Sequence, residues 1–251
     1  MRIPRIFTAS ELHQGTKLRL DKSAADYLIR VLRLKSGAAV ILFNGQGGQY
    51  ESVIDSMKGN IVDIAIGQHV LHEVESALDI TLAQGISRGT RMDYTIQKSV
   101  ELGVSRIIPL ITARCGVKLD AERAAKRLHH WQGITVSSCE QCGRNRIPTL
   151  HPIITLQDWL SQSDPANTHQ ARPDLRLVLD PYNDNTLSQL AKPGGPVILL
   201  IGPEGGLTND ELRQANQAGF TGIQLGPRIL RTETAGVAAI SAMQSLWGDM
   251  A

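Results

Sequence analysis

Two short apolar runs near the C-terminus each end at Gly-Pro. The first, Val197-Ile198-Leu199-Leu200-Ile201, leads into Gly202-Pro203-Glu204-Gly205-Gly206. The second, Gly222-Ile223-Gln224-Leu225, leads into Gly226-Pro227-Arg228-Ile229-Leu230-Arg231-Thr232-Glu233-Thr234-Ala235. Each run has strand length and is followed by a helix signal. In an open α/β sheet, ligands bind at the carboxyl ends of strands, where loops of this kind lie. Two of them twenty-odd residues apart predict one composite pocket.

The 251 residues leave room for one or two domains, and a composition of 42% hydrophobic and 20% charged residues is that of a soluble globular protein. No apolar run approaches the roughly 20 residues of a membrane span. Met1-Arg2-Ile3-Pro4-Arg5 has no apolar stretch behind its basic residues, which argues against a secretory signal. Cys115, Cys139 and Cys142 form an odd, sparse set that fits a reducing compartment. A cytoplasmic location is expected.

The net charge of +2 hides a segregation. Residues 1–35 carry eight Lys/Arg against three Asp/Glu, and residues 88–146 carry eleven against five. Residues 36–87 and 147–251 are net acidic. Two basic blocks converging on one polyanion would produce this pattern, since phosphates are held mainly by Lys and Arg. A solvated basic face would produce it too.

Residues 1–70 read as a small β-rich domain. Lys17-Leu18-Arg19-Leu20 alternates with period two. Ser23, with Asp26 three residues on, predicts a capped helix over Ala24–Leu34 that carries Arg30 and Arg33. Ala39–Phe43 and Gln49–Ile54 flank the hairpin signal Asn44-Gly45-Gln46-Gly47-Gly48, and Ile61–Ile66 supplies another strand. The polar stretch Gly67–Ala77 holds the boundary, with residues 71–77 as linker and 78–251 as a second domain.

In that second domain strands and helices alternate. Leu78–Ile86, Arg106–Ile111, Leu175–Asp180 and Val197–Ile201 read as strands, and a further strand ends at Leu225. Arg91–Leu102, Asp120–Ser138, Leu156–Leu160, Asn185–Leu190, Asn209–Ala218 and Glu233–Trp247 read as helices. The alternation predicts a mostly parallel sheet covered by helices.

Thr208 and Glu211 form a capping box directly after Gly205-Gly206, so the first loop opens onto a helix N-terminus. The loop lacks the Gly-Lys-Ser/Thr of a Walker motif and the Gly-x-Gly-x-x-Gly of a dinucleotide fold. In the second loop Arg228 and Arg231 flank Ile229-Leu230, an apolar pair that needs a cover: an adenine face or a subunit interface. Cys139-Glu140-Gln141-Cys142 has half-zinc spacing but lacks two well-spaced further ligands, so no metal is expected. Arg144 and Arg146 read either as terminal helix charges or as RNA contacts, and Lys98 as a phosphate ligand or a solvated charge.

The two loops resemble the paired signatures of the ribosomal small-subunit RNA uracil-N3 methyltransferases, in the SPOUT superfamily. The resemblance runs through Gln97-Lys98-Ser99-Val100-Glu101-Leu102-Gly103-Val104, Arg114-Cys115-Gly116-Val117-Lys118 and Glu140-Gln141-Cys142-Gly143-Arg144-Asn145-Arg146-Ile147-Pro148. It reaches back to Arg5-Ile6-Phe7 and Val31-Leu32-Arg33, and it weakens at Ser161–Arg172, which reads as a variable surface loop. Leu207 stands where such proteins often have Phe.

The resemblance implies an α/β fold: a SPOUT-type parallel sheet with a C-terminal trefoil knot, preceded by a small PUA-like β-barrel at residues 1–70. It implies S-adenosylmethionine held by Leu179, Ile201, Gly202, Pro203, Glu204, Gly205, Leu225, Gly226, Ile229, Leu230 and Thr234. It also implies a homodimer whose second subunit completes the site, with 16S rRNA or the 30S subunit as partner. Arg5, Arg30, Arg33, Arg88, Arg91, Lys98, Arg144 and Arg146 are then expected on the RNA path. For methyl transfer to uracil N3, Arg231 is expected to stabilise charge on a uracil oxygen, and Glu233 or Glu204 to accept the proton or orient the base. A SPOUT methyltransferase acting on another RNA, such as a tRNA ribose, and a non-catalytic RNA-binding assembly factor stay open.

Overall fold

A computed structural model describes residues 3–117, 120–162 and 174–250. Lys118 and most of the expected variable loop, from residue 163 to 172, lie outside the described residues. The chain divides into two units, Met1–Glu75 with Val136–Ile147 and Ser76–Thr135 with Pro148–Ala251. A cut in sequence order would not assign Val136–Ile147 to the first unit.

The first unit contains β1 (Arg5–Phe7), β2 (Lys17–Arg19), β3 (Ala39–Phe43), β4 (Gln49–Lys58), β5 (Ile61–Ala65) and β6 (His69–Val70). They form one sheet in the order β1-β3-β4-β5-β2, with β6 on β4. β1 and β3 run parallel, and the other pairings are antiparallel. Alternation decides what is buried: Val62 and Ile64 of β5 face a core shared with Ile6, Leu28, Leu42 and Ile54, while Ile61 and Asp63 turn outward.

The expected helix over Ala24–Leu34 is corrected. α1 (Lys22–Asp26) is capped by Asp21, whose carboxylate accepts from Ala24 N at 2.9 Å, and not by Ser23. The chain then widens into a π-helical turn, Tyr27–Val31, and Arg33 adopts a left-handed φ of 52°.

The second unit contains β7 (Ile80–Gly85), β8 (Arg106–Ile111), β9 (Thr149–Leu150), β10 (Ile154–Thr155), β11 (Leu175–Leu179), β12 (Val197–Ile201) and β13 (Thr221–Ile223). They form a parallel sheet ordered β10-β8-β7-β12-β11-β13, with β9 on β8. The helices are α2 (Arg91–Glu101), α3 (Ala121–Cys142), whose residues from Val136 on belong to the first unit, α4 (Leu156–Gln162), α5 (Asn209–Gln217) and α6 (Thr232–Trp247). Trp159 of α4 and Phe220, after α5, meet at 5.7 Å in a core with Ala83, Ile108, Val178 and Leu200. Where a helix was expected over Asn185–Leu190 there is a single 3-10 turn, Leu187–Gln189.

Strand order reverses direction between β7 and β12, because β8 extends one side of β7 and the later strands build on the other. Loops diverge at such a point and open a crevice at the carboxyl ends. From β13 at the sheet edge the chain returns past the β11–β12 connection, where Gln224 N donates to Asn185 O at 2.9 Å. It then reaches the end of β12, where Thr232 Oγ1 donates to Gly202 O at 2.7 Å. This return path is consistent with a trefoil crossing.

Candidate active site

The first loop needs its glycines. A Cβ on Gly202 would stand 2.8 Å from Leu207 N, and Gly206 has a φ of 67° that side chains disfavour. Gly206 N donates to Pro203 O at 2.8 Å, closing the turn. Thr208 then caps α5: its hydroxyl accepts from Glu211 N, and Glu211 Oε2 accepts from Thr208 N at 2.8 Å. Glu211 Oε1 also accepts from Ala113 N at 2.7 Å, which anchors the cap to the segment after β8.

The second loop follows β13 and faces the first across a cavity of about 680 Å³. Ligand sites for small organic molecules span roughly 300–1,000 Å³. Leu179, Ile201, Gly202, Pro203, Glu204, Gly205, Leu225, Gly226, Ile229 and Leu230 all line it, as do Arg231 and Glu233. Thr234 does not; helical twist puts Thr232, Glu233 and Ala235 on the wall instead. Ile229 is 75% exposed, which is unusual for so apolar a side chain beside a cavity.

The charges divide into paired and unpaired sets. Glu204 Oε1 accepts from Arg88 N at 2.8 Å and from Arg91 Nη1 at 2.9 Å. Partial burial pushes the Glu204 carboxyl upward, but the Arg88 and Glu204 backbone N–H groups and the Arg91 guanidinium outweigh it and leave it below its ordinary value. Arg91 Nε also lies 3.6 Å from Glu233 Oε1. Glu233 Oε2 is buried and makes no hydrogen bond. Among the described residues, Arg228 and Arg231 have no anionic partner. The arrangement offers an ionised, fixed carboxylate, a second carboxylate with an idle oxygen, and two available guanidinium groups around an apolar slot.

Comparison with known proteins supplies the rest. The RNA methyltransferase domain family matches residues 74–244, and the RNA methyltransferase PUA domain family matches residues 20–66. The ribosomal RNA small subunit methyltransferase E of Buchnera aphidicola subsp. Schizaphis graminum is 37% identical over 249 residues, covering 99% of this chain and 98% of that protein. This chain belongs to the ribosomal RNA small subunit methyltransferase E family. A family member from Neisseria gonorrhoeae, crystallised bound to S-adenosyl methionine, superposes with a TM-score of 0.90 at 40% identity, covering all of both chains. A Legionella pneumophila protein solved in complex with the bound cofactor SAM superposes with a TM-score of 0.92 at 39% identity, covering 99% of this chain and all of that one. The SPOUT-type parallel sheet and PUA-like first unit are those of the family.

Family membership does not make every basic residue an RNA contact. Arg5 is 7% exposed: its guanidinium donates to Gln49, to Asn145 Oδ1 at 2.5 Å and to Arg144 O at 3.3 Å, and lies 4.9 Å over the Phe43 ring. The Arg144 side chain, 5% exposed, forks onto Glu75 with contacts of 2.6–3.2 Å. The structure thus encloses both guanidinium groups among acceptors inside the first unit, a setting that suits a structural role.

The remaining basic candidates reach solvent to differing degrees. Arg30 bonds Asp26 at 3.1 Å and Lys98 bonds Glu101 at 2.8 Å, yet Arg30 is largely exposed. Arg146 is 58% exposed beside Glu73, and Arg33 and Arg88 are exposed. Arg91 is tied to the carboxylates of the cavity.

Several lining residues escaped the sequence reading. Arg114 donates to Gly205 O at 2.9 Å, bracing the first loop. Asp180, Pro181 and Tyr182 continue β11 into the cavity wall, with Tyr182 84% exposed. A third strand ending beside the two focal ones was the available signal for them. The Cys139 thiol is pushed up to about 12 by burial, which keeps it protonated at neutral pH.

The residues suit S-adenosylmethionine. The apolar wall of Leu179, Ile201, Leu225, Ile229 and Leu230 matches a purine, and a Cβ on Gly205 would meet Arg114 at 3.0 Å, so glycine keeps this wall thin.

Proposed function

We propose that this protein methylates N3 of a uridine in 16S rRNA, using S-adenosylmethionine, as a cytoplasmic homodimer. The observation that carries the reading is the slot between the two Gly-Pro loops, with unpaired Arg231 and the idle Glu233 oxygen on its wall. When bound, S-adenosylmethionine supplies a sulfonium-activated methyl group.

The chain's own residues then have separate tasks. Ile229, Leu230 and Leu225 cover the apolar part of the cofactor, and the glycine loops admit backbone contacts to its polar parts. Uracil must leave its stack to present N3, and the phosphates flanking it need cations. Arg228, Arg88, Arg146, Arg30 and Arg33 supply them, with Lys98 at the margin. As N3 gains the methyl it loses its proton to Glu233, whose Oε2 has no competing donor. Arg231 stabilises the negative charge that gathers on the uracil carbonyl oxygen. Glu204, already accepting two donors and with its pKa held below the ordinary carboxylate value, is a poor base and serves to position Arg91. Residues 1–70 act as the RNA-gripping domain, 71–77 as linker, and a second subunit completes the pocket.

Mass spectrometry of small-subunit rRNA from a strain lacking this gene, with and without complementation, tests the reading. Loss of one N3-methyluridine, restored by the wild-type gene and not by R231A, is expected. Unchanged uridine methylation sinks it.

A further inference from the structure

Gln84, the penultimate residue of β7, is fully buried. Its Nε2 lies 3.0 Å from Gly85 O, 3.0 Å from Thr232 Oγ1 and 3.3 Å from Gly202 O. Three oxygens around one nitrogen fix the amide orientation, since the flipped form would set oxygen against two carbonyls. Thr232, 6% exposed, uses its single hydroxyl proton on Gly202 O at 2.7 Å and accepts from Gln84. The far side of the amide is left open by Gly236, where a Cβ would stand 3.6 Å from Gln84 Oε1 and 3.3 Å from Ile201 Cδ1.

These bonds join the end of β7, the first residue of the first loop and the first residue of α6. Gly202 precedes Pro203-Glu204, and Thr232 stands between Arg231 and Glu233. Any shift of Thr232 therefore moves both side chains that face the reacting base. We infer that Gln84 and Thr232 are positioning residues, a buried clasp that sets the gap between the two loops and with it the fit of cofactor and the aim of Arg231 and Glu233. The inference rests on the functional reading above. Gln84 Oε1 is buried with no hydrogen-bond partner, so the flipped amide would leave both of its donors unpaired and set its oxygen against two carbonyls, and one arrangement is specified.

Valine and serine separate the clasp from plain packing. T232V keeps the shape of the side chain and removes its hydroxyl; T232S keeps the hydroxyl and removes the methyl. Calorimetry gives the affinity for S-adenosylmethionine, and turnover at saturating cofactor is measured on 16S rRNA in small subunits lacking the modification. T232V is expected to lose about tenfold in each, a single decade of binding or barrier, while T232S stays within about twofold of wild type. Q84M, isosteric and without donors, is expected to behave like T232V and takes its place if T232V does not fold. The clasp is overturned if the folded variants match wild type, or if T232S is as impaired as T232V. Wild type that binds no S-adenosylmethionine would instead overturn the reading of the cavity itself.

Discussion

The Arg91 guanidinium donates to Glu204 Oε1 at 2.9 Å, tying the start of α2 to the first glycine loop. A charge-assisted bond of this kind is roughly twice as strong as a neutral one. E204Q keeps an acceptor for Arg88 N but gives up the charge that holds Arg91. Turnover at saturating cofactor is expected to fall about tenfold, with cofactor affinity within about threefold. E233Q is expected to fall further, by two decades or more, because it removes the proposed base. Steady-state rates of the two variants, measured side by side, check the division of labour; equal losses would argue against it.

Ile229 gives a second test. An isoleucine 75% exposed beside a cavity gains from any ligand that covers it. Full burial of such a side chain is worth about 1.5–3 kcal/mol, so I229S should weaken S-adenosylmethionine binding about tenfold. Calorimetry measures this, and sedimentation of the same variant reads the oligomeric state. Unchanged cofactor affinity with weakened self-association would assign the cover to a second subunit.

How much of this could be read in advance follows from what sequence patterns encode. The runs Ala39–Phe43, Val197–Ile201 and the Thr208–Glu211 box are local signals, and the strands and the capped helix form where they predict. β9 and β10 have two residues each, too few for any period to register. Val136–Ile147 gives no local sign that it belongs with the first unit, because a helix tail reads the same whatever it packs on. Arg5 and Arg144 looked like RNA ligands because charge says nothing about enclosure; their partners Asn145 and Glu75 are far away in sequence. The cavity walls were legible as loops, while the clasp under them depends on a glutamine that looks like any other strand residue.

The enclosure of Arg144 predicts a stability effect. R144A leaves Glu75, itself mostly buried, without its bidentate partner. Removing one member of a buried ion pair costs about 3–5 kcal/mol. Chemical denaturation should show a loss of that order, whereas R146A, at a mostly exposed pair 3.7 Å apart, should cost less than about 1 kcal/mol. Equal effects would place Arg144 at the surface in solution.

Glu140 makes the last prediction, and its sign runs opposite to most carboxylates. Burial pushes its carboxyl above the ordinary value, against the smaller opposing pull of the Phe7 N–H at 2.9 Å and of Arg5. An acid with a raised folded-state pKa binds its proton more tightly when folded than when unfolded. Its contribution therefore favours folding at pH below the unfolded value of about 4.5, and that contribution is lost as pH rises through the folded value. At neutral pH the buried charge is a liability. E140Q retains an oxygen for Phe7 N and carries no charge, so thermal unfolding at pH 7–8 should occur at a higher temperature than in wild type. The advantage should shrink as pH falls toward 4.5, because wild-type Glu140 is then protonated too. A variant destabilised at pH 8 and unaffected at pH 5 would mean that the ionised form is the one the fold prefers, with the Arg5 attraction outweighing desolvation.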